Sequence, residues 1–201
     1  EELIETLNRI FGGMLEQAAI RGGELLKFGG DALLFVFRGD DHAFRACRSA
    51  VDMRAALREA AKVPTSVGRL RLSMSVGIHT GPVDFFLVGA PTRELLVLGP
   101  AATATAEAEH AAVAGEILVT AGTAALLPSG STTPREDGLH RLRWRFTYAP
   151  EGGAPALPEV PRDRLLTLFP HALGDYLDAR VPDPEHKVAT TASARFSVTD
   201  T

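Results

Sequence analysis

The sequence predicts an α/β sandwich, with helices packed on a mixed sheet, and three observations carry that expectation. Apolar side chains switch along the chain between helical spacing and strand alternation. Short apolar runs meet at tight glycine turns, as hairpins do. The composition, 45% hydrophobic and 23% charged over 201 residues, is that of a globular protein. That length suffices for one ordinary domain with chain to spare, but is short for two.

Residues 1–20 set Leu3, Leu7, Ile10, Phe11, Met14 and Ala18 on one helical stripe, and Gly22-Gly23 ends it. Two apolar runs, 24–28 and 32–37, flank Gly29-Gly30-Asp31 and read as a β-hairpin. Asp40-Asp41 suits a helix N-terminus, and Phe44, Cys47, Val51, Leu57 and Ala61 form the buried stripe of that helix. Leu70, Leu72, Met74, Val76 and Ile78 alternate as a strand, His79 to Pro82 turn, and 83–88 and 94–98 follow as strands. An alanine-rich helix spans 101–114 and Gly115 stops it. Residues 116–120 make a strand and a short helix runs to Leu127. A loop rich in Ser, Thr and Pro then leads to a last strand at 139–148. There Arg141, Arg143 and Arg145 alternate with Leu142 and Trp144, the pattern of a solvated edge strand with Trp144 on its covered face.

After Pro150 the composition shifts. Gly152-Gly153, Pro155, Pro158 and Pro161 mark a linker, expected over 151–184 after a domain at 1–150. Within that linker 165–179 suits a short amphipathic helix, and 188–198 reads as a weak strand. Glu1 opens inside a helical pattern and Thr201 follows the strand-like stretch, so both ends read as cut. A net charge of −4 gives no reason to expect nucleic acid or an anionic membrane surface as partner. No apolar run reaches the roughly 18 residues of a membrane span. Cys47 is the only cysteine; its helical, apolar setting reads as a core thiol and fits a reducing, cytoplasmic location.

The chemistry-bearing residues begin with Asp31. A carboxylate at a glycine turn between rigid strands suits Mg²⁺, which takes one or two carboxylates plus substrate phosphates, and glycines let a ligand approach the backbone. Alone, such an aspartate reads as an ordinary turn residue. Lys27, inside an apolar strand, alone reads as an exposed or edge-strand lysine.

The stretch from Gly22 to Phe37, with Lys27-Phe28-Gly29-Gly30-Asp31-Ala32-Leu33-Leu34 at its centre, resembles the metal-binding hairpin of class III adenylyl cyclases. It is most like their bicarbonate-responsive soluble branch. Ser75 to Val83 is similar to that family's Gly-Ile-His-x-Gly strand and turn. Leu95 to Ala102 resembles its entry to the substrate helix, and Ala114 to Thr120 its Pro-Gly-Glu-Ile segment. The motifs keep the family's order and cover residues 1–127.

This resemblance implies a ferredoxin-like nucleotidyl cyclase fold, helices on one face of a mixed sheet, here lacking the first strand. It implies two cyclase domains paired head to tail, within one chain or as a homodimer, with ATP between them. One domain holds Mg²⁺ or Mn²⁺ through two aspartates, the second of which matches Asp31. The other brings a base-reading lysine with a polar partner, and an Asn and an Arg for ribose and phosphate. The product is cyclic AMP, with pyrophosphate released.

The departures set the expected role. The family's Asn position falls at Thr103, its Arg position at Glu107, and its base-reading polar position near Leu96. A carboxylate for a guanidinium beside a phosphate, at about 4 Å and an effective dielectric near 20, is unfavourable by about 4 kcal/mol per unit charge. The expected role is therefore the metal-donating half of a tandem pair. In keeping with this, 185–201 resembles the first strand of a second cyclase domain, with Arg195 at the metal-aspartate position. Lys27, with Phe28, Gly29 and Gly30, then either lines the degenerate pseudo-symmetric site, where the resemblance implies a bicarbonate-type anion, or orients the hairpin. His79 reads as a hydrogen-bonded turn histidine. The alternatives are a degenerate cyclase-like module that binds a nucleotide or anion, a diguanylate-cyclase-type domain, whose turn continues unlike Ala32-Leu33, and a purely structural domain, which leaves the Lys27–Asp31 hairpin unexplained.

Overall fold

The computed structural model describes residues 2–30, 32–60, 64–65, 68–69, 72–90, 93–143, 159–166 and 168. Helix α1 (Glu2–Ala19) leads into strands β1 (Gly23–Gly29) and β2 (Ala32–Phe37), then helix α2 (His42–Ala60). Two minimal strands, β3 (Pro64–Thr65) and β4 (Gly68–Arg69), precede β5 (Val76–Ile78), β6 (Asp84–Val88) and β7 (Glu94–Leu98). Helix α3 (Pro100–Ala111), β8 (Ile117–Thr120), α4 (Ala121–Ala125), β9 (Thr132–Pro134), β10 (Leu139–Leu142) and α5 (Arg162–Leu166) complete the order.

The expected mixed sheet is present. Its order is β5-β8-β10-β9, with β5 parallel to β8 and the other pairs antiparallel. Ribbons β1–β2 and β6–β7 are antiparallel hairpins, each hydrogen-bonded only within itself among the described residues. Strand β8 is the centre of the core: Ile117, Leu118 and Val119 are all buried, which a strand achieves only when both faces are covered.

Alternation assigns the covers. Ile117 and Val119, with Ile78 on β5, pack against Ala43, Phe44, Cys47 and Ala50 of α2. Gly77, between Val76 and Ile78, turns the other way and lies under the backbone of α3 at Thr105 and Ala108. Thus α2 covers one face and α3 crosses the other. Helix α1 packs along α2 and against β1, which carries the first hairpin.

Several details differ from the sequence expectation, each for a physical reason. The strand expected from Leu70 is laddered from Val76, opposite the start of β8 at Ile117, with the Gly115 N–H donating to the Met74 carbonyl at 2.9 Å just before it; Leu70 and Arg71 lie outside the described residues. The Ser/Thr/Pro loop contributes β9, held to β10 across an Asp137-Gly138 turn in which Gly138 has φ 81° and Asp137 Oδ1 accepts the Leu139 N–H. Pro134 is tolerated because β9 is at the sheet edge. Strand β10 is not the edge strand expected from its arginines; it lies between β8 and β9, and Arg141 pairs with Glu116. The expected helix at 165–179 starts earlier, as α5, and most of that range lies outside the described residues. So do Trp144, Arg145, the greater part of the linker, and the strand-like 185–201. Cys47 is fully buried and its thiol is pushed up to about 12 by loss of hydration, as a core thiol should be.

Candidate functional site

The first hairpin presents Lys27, Phe28, Gly29 and Gly30 at its turn. Gly30 has φ 71°, a left-handed conformation that favours glycine, and among the described residues a side chain at Gly29 or Gly30 would meet nothing within 4 Å. The turn is therefore open to an incoming group. Phe28 is half exposed, and its ring meets Phe11 of α1 edge to face, centroids 5.7 Å apart at 79°. This contact ties the hairpin tip to α1. Asp31 itself lies outside the described residues, so its carboxylate is given no position.

Lys27 forms an ion pair with Glu94, the first residue of β7. Sequence reading missed Glu94, although the only local signal was available: Glu94, Leu96 and Leu98 alternate onto one face of β7. The pair shows which face that is. Because Glu94 reaches Lys27, the Leu96 face of β7 is turned towards the first hairpin. Leu96 is half-buried and pairs with Phe86 across the β6–β7 ribbon. The polar group beside the Lys27 ammonium is thus the Glu94 carboxylate, two residues before Leu96 on the same strand.

Beyond β7 the chain passes Gly99 (φ 94°) into α3. A side chain at Gly99 would meet the Asp84 carboxylate at 2.9 Å, so the turn needs glycine for space as well as for φ. Thr103 and Glu107 stand one turn apart on the exposed face of α3. The Thr103 hydroxyl donates to the Gly99 carbonyl at 3.4 Å. Glu107 is an exposed carboxylate on this face. His79, at the end of β5, has Nδ1 3.1 Å from the Thr120 hydroxyl, which in turn lies 3.1 Å from that of Thr123. That is a hydrogen-bonded turn histidine.

Among the described residues no three His, Cys, Asp or Glu side chains gather as a metal-binding group. The cavity of about 390 Å³ lined by Asp40, Asp41, His42, Phe44 and Leu126–Pro128 opens at the start of α2, beyond the end of β2 opposite the glycine turn. It shares none of the site residues.

Comparison with known proteins places these features. Residues 1–143 match the family model described as the adenylate and guanylate cyclase catalytic domain. The chain is 32% identical over 154 residues to a membrane guanylyl cyclase of Dictyostelium discoideum, covering 73% of this chain. It spans about a tenth of that relative's length. Among solved structures it is similar to the guanylyl cyclase Cya2 (25% identity, TM-score 0.62, 77% of this chain and 86% of that one). It also shares its fold with the adenylyl cyclase CyaB of P. aeruginosa (21% identity, TM-score 0.58, 70% and 82%). A third likeness is to the guanylate cyclase domain of RhGC from Catenaria anguillulae in complex with GTP (22%, TM-score 0.59, 70% and 81%).

Proposed function

The chain belongs to the adenylate and guanylate cyclase catalytic domain family, and from that premise we propose that it is the metal-donating half of a cyclase pair that forms cyclic AMP and pyrophosphate from ATP in intracellular signalling. The observation that carries this reading is the asymmetry between its two functional edges. The first hairpin keeps an open glycine turn followed by Asp31, whereas the exposed face of α3 carries Thr103 and Glu107. A carboxylate on that face repels a triphosphate, so this helix is not the one that holds it, and a partner domain must bring that half of the site. The β6–β7 ribbon supports pairing, since Phe85, Phe86, Leu87 and Val88 are all exposed. The partner is a second cyclase domain in head-to-tail arrangement, either one beginning in 185–201 after a linker at 151–184, or a second copy.

In this scheme Asp31 holds a hard divalent cation, Mg²⁺ or Mn²⁺, through carboxylate oxygen. The bound ion would acidify the attacking sugar hydroxyl and share the phosphate charge. The glycines keep the backbone low so that the phosphates reach that carboxylate, and Phe28 on Phe11 fixes the turn. The choice of ATP, the cytoplasmic setting and kinship with the soluble, bicarbonate-responsive branch rest on Lys27 and the hairpin sequence. A second reading, a degenerate module that binds nucleotide or anion without chemistry, is favoured by Glu107 and by the engagement of Lys27 with Glu94.

The test is cyclase activity of the whole protein with Mn²⁺, supplied with ATP or GTP, beside Asp31→Ala. We expect cyclic AMP from the wild type and a loss of at least a hundredfold in the variant, with residues 1–201 alone inactive. A folded, complete wild type that makes neither cyclic nucleotide leaves the binding module as the function.

A further inference from the structure

The Lys27–Glu94 pair joins two ribbons that share no backbone ladder among the described residues. Both side chains are substantially exposed, 45% and 60%, so the pair adds little to folding. Its position matters more than its contribution to stability. Lys27 is the cation beside the open glycine turn, and its ammonium is donor-only, suited to a base acceptor or a small oxyanion. Leu96, two residues along the same face of β7, has no polar atom to share it with. The carboxylate of Glu94 already pairs with that ammonium.

We infer that Glu94 is a built-in competitor for the ligand of Lys27. This rests on the proposed nucleotide or anion site at the first hairpin, and adds a gate to it. With the pair closed, the hairpin and the β6–β7 ribbon are latched and Lys27 is neutralised. A ligand acceptor at Lys27 releases Glu94, so its affinity is set by the contest between them. The latch is electrostatic and exposed, and therefore weakens with ionic strength.

The experiment titrates ATP and, separately, bicarbonate into the whole protein and its Glu94→Gln, Lys27→Ala and double variants at low salt. Circular dichroism establishes that each is folded, and Glu94→Ala serves as a second charge-removing variant. Glu94→Gln should tighten the ligand that uses Lys27 by about two- to fivefold, the range open to an exposed pair, and the gain should shrink at high salt. The same substitution on the Lys27→Ala background should change nothing. Tightening of ATP alone identifies a nucleotide, of bicarbonate alone a small oxyanion. Unchanged or weaker binding in Glu94→Gln overturns the latch, as does equal tightening without Lys27, which would reflect general charge. If Lys27→Ala leaves both affinities unchanged, the underlying site reading fails as well.

Discussion

The tightest constraint on a single residue is at Gly77. A methyl there would lie 2.5 Å from the Thr105 carbonyl oxygen and 2.7 Å from the Ala108 carbonyl carbon, both backbone atoms of α3 that cannot swing aside. Helix α3 sits directly on β5 because this residue has no side chain. Gly77→Ala should therefore destabilise the fold by about 2–3 kcal/mol, the cost of overpacking a closed contact. The contrast is Gly122 in α4, where an added methyl meets nothing within 4 Å. Gly122→Ala should be neutral or stabilising by up to about 1 kcal/mol, through a less flexible unfolded chain. Urea unfolding of both variants checks this, and equal losses would remove the close approach as the reason for glycine at 77. The sequence puts Gly77 in a strand and Gly122 in a short helix, but the close approach that separates them is made by a helix some thirty positions away (Gly77 to Glu109). The same limit applies to Lys27. Its presence at the hairpin was legible, but its partner Glu94 is brought to it only by the fold.

At the scale of elements, the start of β8 is fixed by charge as well as by apolar burial. Glu116 is buried and accepts hydrogen bonds from Arg135 at 2.9 Å, from Arg141, and from the Val113 N–H at 3.3 Å. Burial alone would raise its carboxyl above the ordinary 4.5, but the Arg141 and Val113 hydrogen bonds and the two guanidinium charges outweigh it and hold the group lower. A depressed folded-state value means that the unfolded chain takes up the proton first. The stabilisation is complete above the unfolded value and is lost as pH falls through the folded one. Stability measured by urea midpoint should thus drop below about pH 4.5. Glu116→Gln should cost about 1–3 kcal/mol at neutral pH by leaving buried bonds unmade, and its acid slope should be shallower. An unchanged slope would assign the acid loss to other carboxylates. Helices α1 and α2, the first hairpin and the strands β6 and β7 were legible because their apolar spacing is local, whereas the pairing of β6 with β7 was not read. Strand β9 was not, because Thr132-Thr133-Pro134 has no apolar alternation and is a strand only through its ladder to β10. The interior place of β10 escaped for the same reason: Arg141 is exposed as its pattern suggests, and only the arrival of β9 and the Glu116 carboxylate beside it takes the strand off the edge.

At the scale of the molecule, the β6–β7 ribbon has no cover adequate to its composition among the described residues. In an antiparallel pair opposed residues share a face, so Phe85 and Leu87 lie with Val97 and Leu95, and Phe86 and Val88 with Leu96 and Glu94. Phe85 is 46% exposed, Phe86 49% and Leu87 50%, so both faces show apolar side chains to water. A two-stranded ribbon is marginal alone, and clustered exposed aromatics are the composition of interface centres. The Glu94 face is engaged by the first hairpin through Lys27, and the Phe85–Leu87 face, uncovered among the described residues, is the one assigned to the partner domain of the proposed pair. Replacing both, Phe85→Ser with Leu87→Ser, should weaken pairing of the cyclase domains by about tenfold or more, since buried aromatic anchors dominate such contacts. Cyclic nucleotide formation should fall in step, because neither half-site is complete alone. The urea midpoint of residues 1–201 should hardly move, the two side chains being already hydrated there. Sedimentation velocity reads the association directly. If the double variant pairs as tightly as the wild type, this face is not the docking surface, and the exposed ribbon must be covered by something other than a second cyclase domain.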